Sequence, residues 1–164
     1  MIGKGIIDKI SKTAASRSGQ TALMAILFLA ILVMFVVLMM QSETFAGGGD
    51  TITHYLFARY SWQNPAFLLD HWAKPLFTLL ASPFAQFGLR GVVLMNIMIG
   101  LASAWLAWSL ARNNHIPHAW LIPFLTVFNP VVTDTMLSGL TEIMFGGIII
   151  LSIWLFDRKR YGLA

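Results

Sequence analysis

The sequence predicts an all-α integral membrane protein with about four transmembrane helices and a long extracytoplasmic first loop carrying interfacial helices. Three observations predict it. Of 164 residues, 57% are hydrophobic and only 11% charged, with a mean hydropathy of +0.73. Soluble domains average roughly 45–50% apolar and about 25% charged residues, so the excess is too large for one soluble core. The apolar residues come in long runs, and most basic residues gather where a positive-inside bias places them.

The same composition excludes several chemistries. The chain has no cysteine, which rules out disulfides, thiolate zinc sites and cysteine nucleophiles. A net charge of +4 and a pI near 9.8 would suit nucleic acid in a soluble chain. In a membrane protein that charge serves orientation, and no nucleic-acid partner is expected. There is no P-loop, dinucleotide fingerprint, Gly-x-Ser-x-Gly elbow or metalloprotease helix.

Residues 1–20 carry Lys4, Lys9, Lys12 and Arg17 against Asp8, with Ile2, Ile6, Ile7 and Ile10 at helical spacing. This segment reads either as a basic amphipathic helix on the cytoplasmic leaflet or as a tail whose charge sets orientation. Residues 21–164 read as a single membrane domain. Its first span is 22–40, uninterrupted and long enough to cross a hydrocarbon core of about 30 Å. A signal peptide cleaved at Thr44-Phe45-Ala46 is the alternative, but the apolar region exceeds the usual ~7–15 residues. The N-terminus is therefore expected to be cytoplasmic, in the cell (inner) membrane.

Residues 41–90 are too polar for spans and too apolar for a free loop, and are read as the outer loop. After Gly47-Gly48-Gly49, residues 50–61 form a short helix, with Phe57, Trp62, Phe67 and Trp72 crowding near the headgroup level. Asn64-Pro65 is a break. Residues 75–87 are apolar but short, hold Pro83 and close at Gly88, so they read as a re-entrant or interfacial helix. The second span is 91–111, where Gly100 with Ala104, and Ser103 with Ala107 and Ala111, offer a small-residue face. The third is 119–130, stopped by Asn129-Pro130; residues 131–141 are a semi-polar connection. The fourth is 143–156, followed by Asp157-Arg158-Lys159-Arg160. If 75–87 does not cross, Arg112 and the terminal cluster fall on the side of the basic N-terminus, leaving Arg59, Lys74 and Arg90 outside.

The candidate chemistry lies in that outer loop. Asp50 follows three glycines and opens a helix, so it is an N-cap, a general base for a hydroxyl acceptor, or both. His54 lies one turn further along, on the same face. The Asp/His pair is too small to specify a metal, and a polar-face histidine is preferred, with a divalent cation left open. Lys74 either snorkels to the headgroups or pairs with a phosphate, with Arg59 and Arg90 as competitors. Glu142 opens the last helix, with Asp134 before it, and is either a helix-dipole partner or a functional acid at a span boundary. His71 is a weaker candidate.

Gly48-Gly49-Asp50 opening a juxtamembrane helix, then Lys74-Pro75-Leu76-Phe77 leading to Phe87-Gly88, resembles the first outer loop of GT-C class membrane glycosyltransferases. That class includes protein O-mannosyltransferases and lipid A aminoarabinose transferases. Phe128-Asn129-Pro130 and Leu140-Thr141-Glu142 are similar to it as well. The resemblance implies transfer of a sugar, with inversion, from a polyprenyl-phosphate carrier to an extracytoplasmic acceptor. It makes Asp50 the catalytic acidic residue, Lys74 the phosphate-facing lysine and Glu142 a second acidic site, with His54 and Arg59 as further substrate-binding candidates. The chain departs from the class in reading Lys-Pro-Leu for Lys-Pro-Pro-Leu and in having fewer spans, so it is expected to be an N-terminal portion, one part of a split enzyme or a shortened relative. The expected partners are the lipid-linked sugar donor, membrane lipids, and further membrane subunits or a missing C-terminal part. The alternative is a small non-enzymatic membrane protein that binds a lipid carrier or packs against a partner through the small-residue face.

Overall fold

A computed structural model of the chain describes residues 17–42 and 47–158, and among these every regular element is helical. The expected helix over 1–20 lies outside the described residues except for its last turn; so do Glu43, Thr44-Phe45-Ala46, Lys159 and Arg160. The chain divides into two compact units, Met1–Phe35 and Val36–Ala164. The first contributes most of α1 (Arg17–Gln41), which starts ahead of the predicted apolar run and carries no acidic residue in its first turn.

The second unit holds α2 (Gly48–Tyr60), α3 (Pro75–Ala85), α4 (Leu89–Asn113), α5 (Ile122–Val127), α6 (Pro130–Ser138) and α7 (Glu142–Asp157). Single 3₁₀ turns at Pro65–Leu68 and Ala119–Leu121 lie in the connections. Among the described residues two helices are long and apolar enough to cross a membrane, Ser18–Gln41 and Leu89–Asn113, or three if the bent pair α5–α6 acts as one. The expected four spans are therefore not all present as single helices. Residues 119–130 do not form one helix, and 131–141 are not a plain connection: α6 begins at Pro130, bent 56° from the segment before it. The physical reason is that Asn129-Pro130, besides ending the helix before it at Val127, starts another. The Asn129 side chain accepts from the backbone N–H of Val131 (3.0 Å) and of Val132 (3.4 Å), and Pro130 takes a position that needs no N–H partner. Helix α7 has 16 residues, about 24 Å, short of a core of about 30 Å.

Helices α4 and α7 run parallel. Asn96 near the start of α4 reaches Leu140 at the entrance to α7, Ser109 meets Trp154 further along, and Asn114 meets Asp157 at the far end. Gly147 lies where a Cβ would come within 2.9 Å of Ile99 Cγ2 and 3.0 Å of Ser103 Oγ, so a missing side chain sets their spacing. Gly100 likewise faces Met136 of α6, where a Cβ would come within 2.6 Å of its sulfur. The small-residue face predicted for a partner is thus covered, at Gly100 and Ser103, by helices of this same chain. Asn96 is fully buried in this apolar helix and donates to the carbonyl of Leu140 at 2.7 Å. That bond fixes the turn into α7, since an unpaired carbonyl there would cost roughly 1–3 kcal/mol.

Helices α2 and α3 also run parallel, joined by the return segment 61–74. His54 meets Phe77 near their starts, and Arg59 and Trp62 meet Ala85 and Ser82 near their ends. Alanines at 58, 81 and 85 are completely buried and let the two axes approach, in a core completed by Phe77, Val92, Met95 and Met144. Helix α3 ends close to the predicted Phe87-Gly88: Gly88, at φ 84°, takes a conformation that L side chains rarely adopt, and the chain turns directly into α4.

Candidate functional site

The two parallel pairings bring the N-terminal ends of α2, α3 and α7 to one region. Helix α2 is fixed by Thr51, whose Oγ1 donates to the carbonyl of Ser138 at 2.7 Å, just before the left-handed Gly139 that ends α6. The N-cap of α2 is Gly47, at φ 91°, so Asp50 is not the cap: it stands in the first turn, exposed, with no side-chain capping bond. Helix α3 starts at Lys74-Pro75, where the proline holds the lysine in extended backbone (φ −101°, ψ 96°) and needs no N–H partner at the first helical position. Glu142 is the first residue of α7, positioned by the Asn96–Leu140 bond.

His54 sits among these three ends. It is only 7% exposed, packs edge-on against Phe77 (centroids 5.9 Å apart, planes at 65°), and its Nδ1 has no hydrogen-bond partner. Burial pushes its pKa below the 6.5 of an ordinary imidazole, and the Lys74 ammonium pushes it the same way; the carboxylates of Asp50 and Glu142 pull it partly back. Three of the other four predicted site residues, Asp50, Lys74 and Glu142, therefore act electrostatically on His54.

Lys74 and Glu142 are also among the residues lining an apolar groove of about 470 Å³, with Pro75, Leu76, Phe77, Thr141, Met144, Phe145 and Ile148. Among the described residues neither charge is hydrogen-bonded or ion-paired; the one ion-pair contact joins His71 to Asp70 at 3.4 Å. Helices α3 and α7 bring the positive ends of their dipoles to the groove, Lys74 adds a full positive charge and Glu142 a full negative one, and the apolar walls favour an alkyl chain.

The fifth predicted residue lies elsewhere. Arg59 donates to Tyr55 Oη (2.9 Å) and to the carbonyl of Ala85 (3.3 Å), and Gln86 Nε2 donates to the Arg59 carbonyl at 3.0 Å. These bonds tie the far ends of α2 and α3 together. Arg90 donates to the carbonyl of Ser42 at 3.5 Å, His71 is spent on Asp70, and Asp134 lies exposed on α6. Among the described residues no three His, Asp or Glu side chains come together as a metal site. Sequence reasoning missed Thr51, Phe77 and Asn96. Only Asn96 carried a signal, a lone amide inside an apolar run.

The state of His54 gives a measurable pH dependence. Its folded-state pKa is depressed, so between that value and 6.5 the unfolded chain binds more protons than the folded one. Stability rises with pH through that window, is complete above 6.5 and is lost on acidification. Unfolding midpoints in detergent micelles are expected to fall as the pH drops below 6.5, and His54→Gln is expected to flatten that dependence. Equal pH dependence in the two proteins would remove the buried neutral imidazole.

No family model, no curated protein and no solved structure matches the chain.

Proposed function

We propose that the chain is a GT-C-like membrane glycosyltransferase, or the N-terminal portion of one, that moves a sugar from a polyprenyl-phosphate carrier to an acceptor outside the cytoplasm. One observation carries this reading: Lys74 and Glu142, which with Asp50 act on the buried His54, help line a groove that is otherwise largely apolar. That is the complement of a phosphate with an isoprenoid tail. In this reading α1, α4, α5–α6 and α7 cross an inner membrane as four legs, with the N-terminus cytoplasmic and residues 41–90 outside. The parallel course of α4 and α7, separated by the α5–α6 return, is compatible with it.

The phosphate sits against Lys74 and the helix ends, and the isoprenoid chain lies along Phe77, Met144, Phe145 and Ile148. Asp50 takes the proton of the acceptor hydroxyl as that oxygen bonds to the anomeric carbon from the face opposite the phosphate. The bond from that carbon to the phosphate oxygen breaks, and polyprenyl phosphate leaves with the electron pair. A phosphate leaving group needs charge stabilisation, supplied by Lys74, and no strong acid at the leaving oxygen.

The test is to supply radiolabelled polyprenyl-phosphate sugars to membranes with and without the protein. Transfer that depends on the protein supports the reading. Lys74→Gln is expected to weaken binding of the carrier by about 10- to 100-fold, the worth of a charge-assisted contact of roughly 1.5–3 kcal/mol. Carrier binding without transfer favours the non-enzymatic alternative, and carrier binding unaffected by Lys74→Gln overturns the assignment of the groove.

A further inference from the structure

We infer that this site binds its lipid phosphate together with a proton, and that the proton goes onto His54. The inference rests on the lipid-phosphate reading of the groove but not on any transfer activity. His54 is more than nine-tenths buried with an unpartnered Nδ1, and its ring packs on Phe77, which is itself a wall of the groove. The charged groups acting on it are Asp50 from its own helix, Lys74 from the start of α3 and Glu142 from the start of α7. From α4, Arg90 is directed to the Ser42 carbonyl instead.

Burial and the Lys74 ammonium together disfavour the imidazolium. A phosphate arriving at Lys74 neutralises one of these influences and adds a negative charge of its own beside the ring. Both changes favour the imidazolium. Linkage makes the effect reciprocal: if the anion favours protonated His54, protonated His54 favours the anion. The carrier phosphate, as a diester, carries one charge that does not titrate near neutrality, so any proton taken up must go to the protein. His54 then acts as a second, conditional cation that is present only with the ligand. A permanent second cation at that depth would face the desolvation of an unpaired buried charge. The result is a site that holds its carrier more tightly as the outer surface acidifies.

The experiment uses the full chain in detergent micelles and a soluble phosphodiester lipid, dihexanoylphosphatidylglycerol, whose single charge is constant across the pH range studied. Calorimetric titrations in two buffers of different ionisation enthalpy count the protons taken up. The expected result is proton uptake on binding at pH values between the depressed pKa of His54 and its higher pKa with lipid bound, with Kd falling by up to about tenfold per pH unit of acidification in that window. His54→Gln is expected to lose the uptake and the slope. In the native protein the His54 imidazole resonance, assigned by its loss in His54→Gln, is expected to titrate at higher pH with lipid bound; this readout serves as well if the variant folds poorly. Binding with no proton uptake, or with the same uptake in His54→Gln, overturns the inference and leaves the groove assignment standing. No binding at any pH overturns both.

Discussion

Asp50→Asn is expected to lower sugar transfer by about 10²- to 10⁴-fold, the usual worth of a positioned general base, while leaving the fold and membrane insertion as they are. The two halves of that expectation have separate grounds. Even as an N-cap Asp50 would lose little on such a change, because asparagine caps a helix about as well as aspartate. Gly47 is the cap, however, and the Asp50 carboxylate makes no capping bond. What remains for stability is its interaction with the helix dipole, worth about 0.3–1 kcal/mol at an exposed position. Asparagine keeps the size and the exposure but cannot accept the proton. The measurement is transfer of labelled sugar by the reconstituted protein, with the unfolding midpoint recorded on the same preparation. Transfer at the native rate would reduce Asp50 to a dipole partner.

Gly91→Ala is expected to destabilise the protein by about 3 kcal/mol, the upper part of the range for overpacking. A Cβ at Gly91 would lie 2.0 Å from the carbonyl oxygen of Phe84 and 2.9 Å from its carbon. These are backbone atoms, and no rotamer change moves them aside. The turn from α3 into α4 would have to open, taking with it the bonds Phe87 N to Phe84 O and Gly91 N to Gly88 O, each 3.0 Å long. Because α3 carries Lys74 at its other end, the site would be disturbed as well. Gly146→Ala is the control: nothing lies within 4 Å of its added Cβ, and alanine gains up to about 1 kcal/mol over glycine inside a helix. Heat- or denaturant-induced unfolding in micelles should separate the two widely. Equal midpoints would contradict the close approach of Phe84 to α4.

The sequence was informative where structure is local. The apolar runs 22–40 and 91–111 fall within α1 and α4 because an uninterrupted run of that length has no better solution than a long helix. Lys74-Pro75 and Phe87-Gly88 bracket α3, since proline and a left-handed glycine act within one or two residues of themselves. Asn129-Pro130 shows the limit of such reading. The pair can stop one helix or start another, and here Asn129 bonds forward to Val131 and Val132, producing α6 where a semi-polar connection was expected. For Arg59 the charge was legible, but its partners Tyr55 and Ala85 depend on how α3 lies against α2.

By itself the sequence determined a helical chain apolar enough to enter a membrane, the main helices and the chemical character of the loop between α1 and α4, because these follow from composition and short-range spacing. It also placed Asp50 and His54 one turn apart. Only the tertiary structure decided that Lys74 and Glu142 join them, that His54 is buried with its nitrogen unpaired, and that an apolar groove opens beside the charges. Those outcomes depend on two parallel helix pairings, α2 with α3 and α4 with α7, set by alanines, glycines and one buried amide whose partners are far away in the chain. Hydrophobic periodicity states which residues are covered, but not by which element, and the site is made by that second choice.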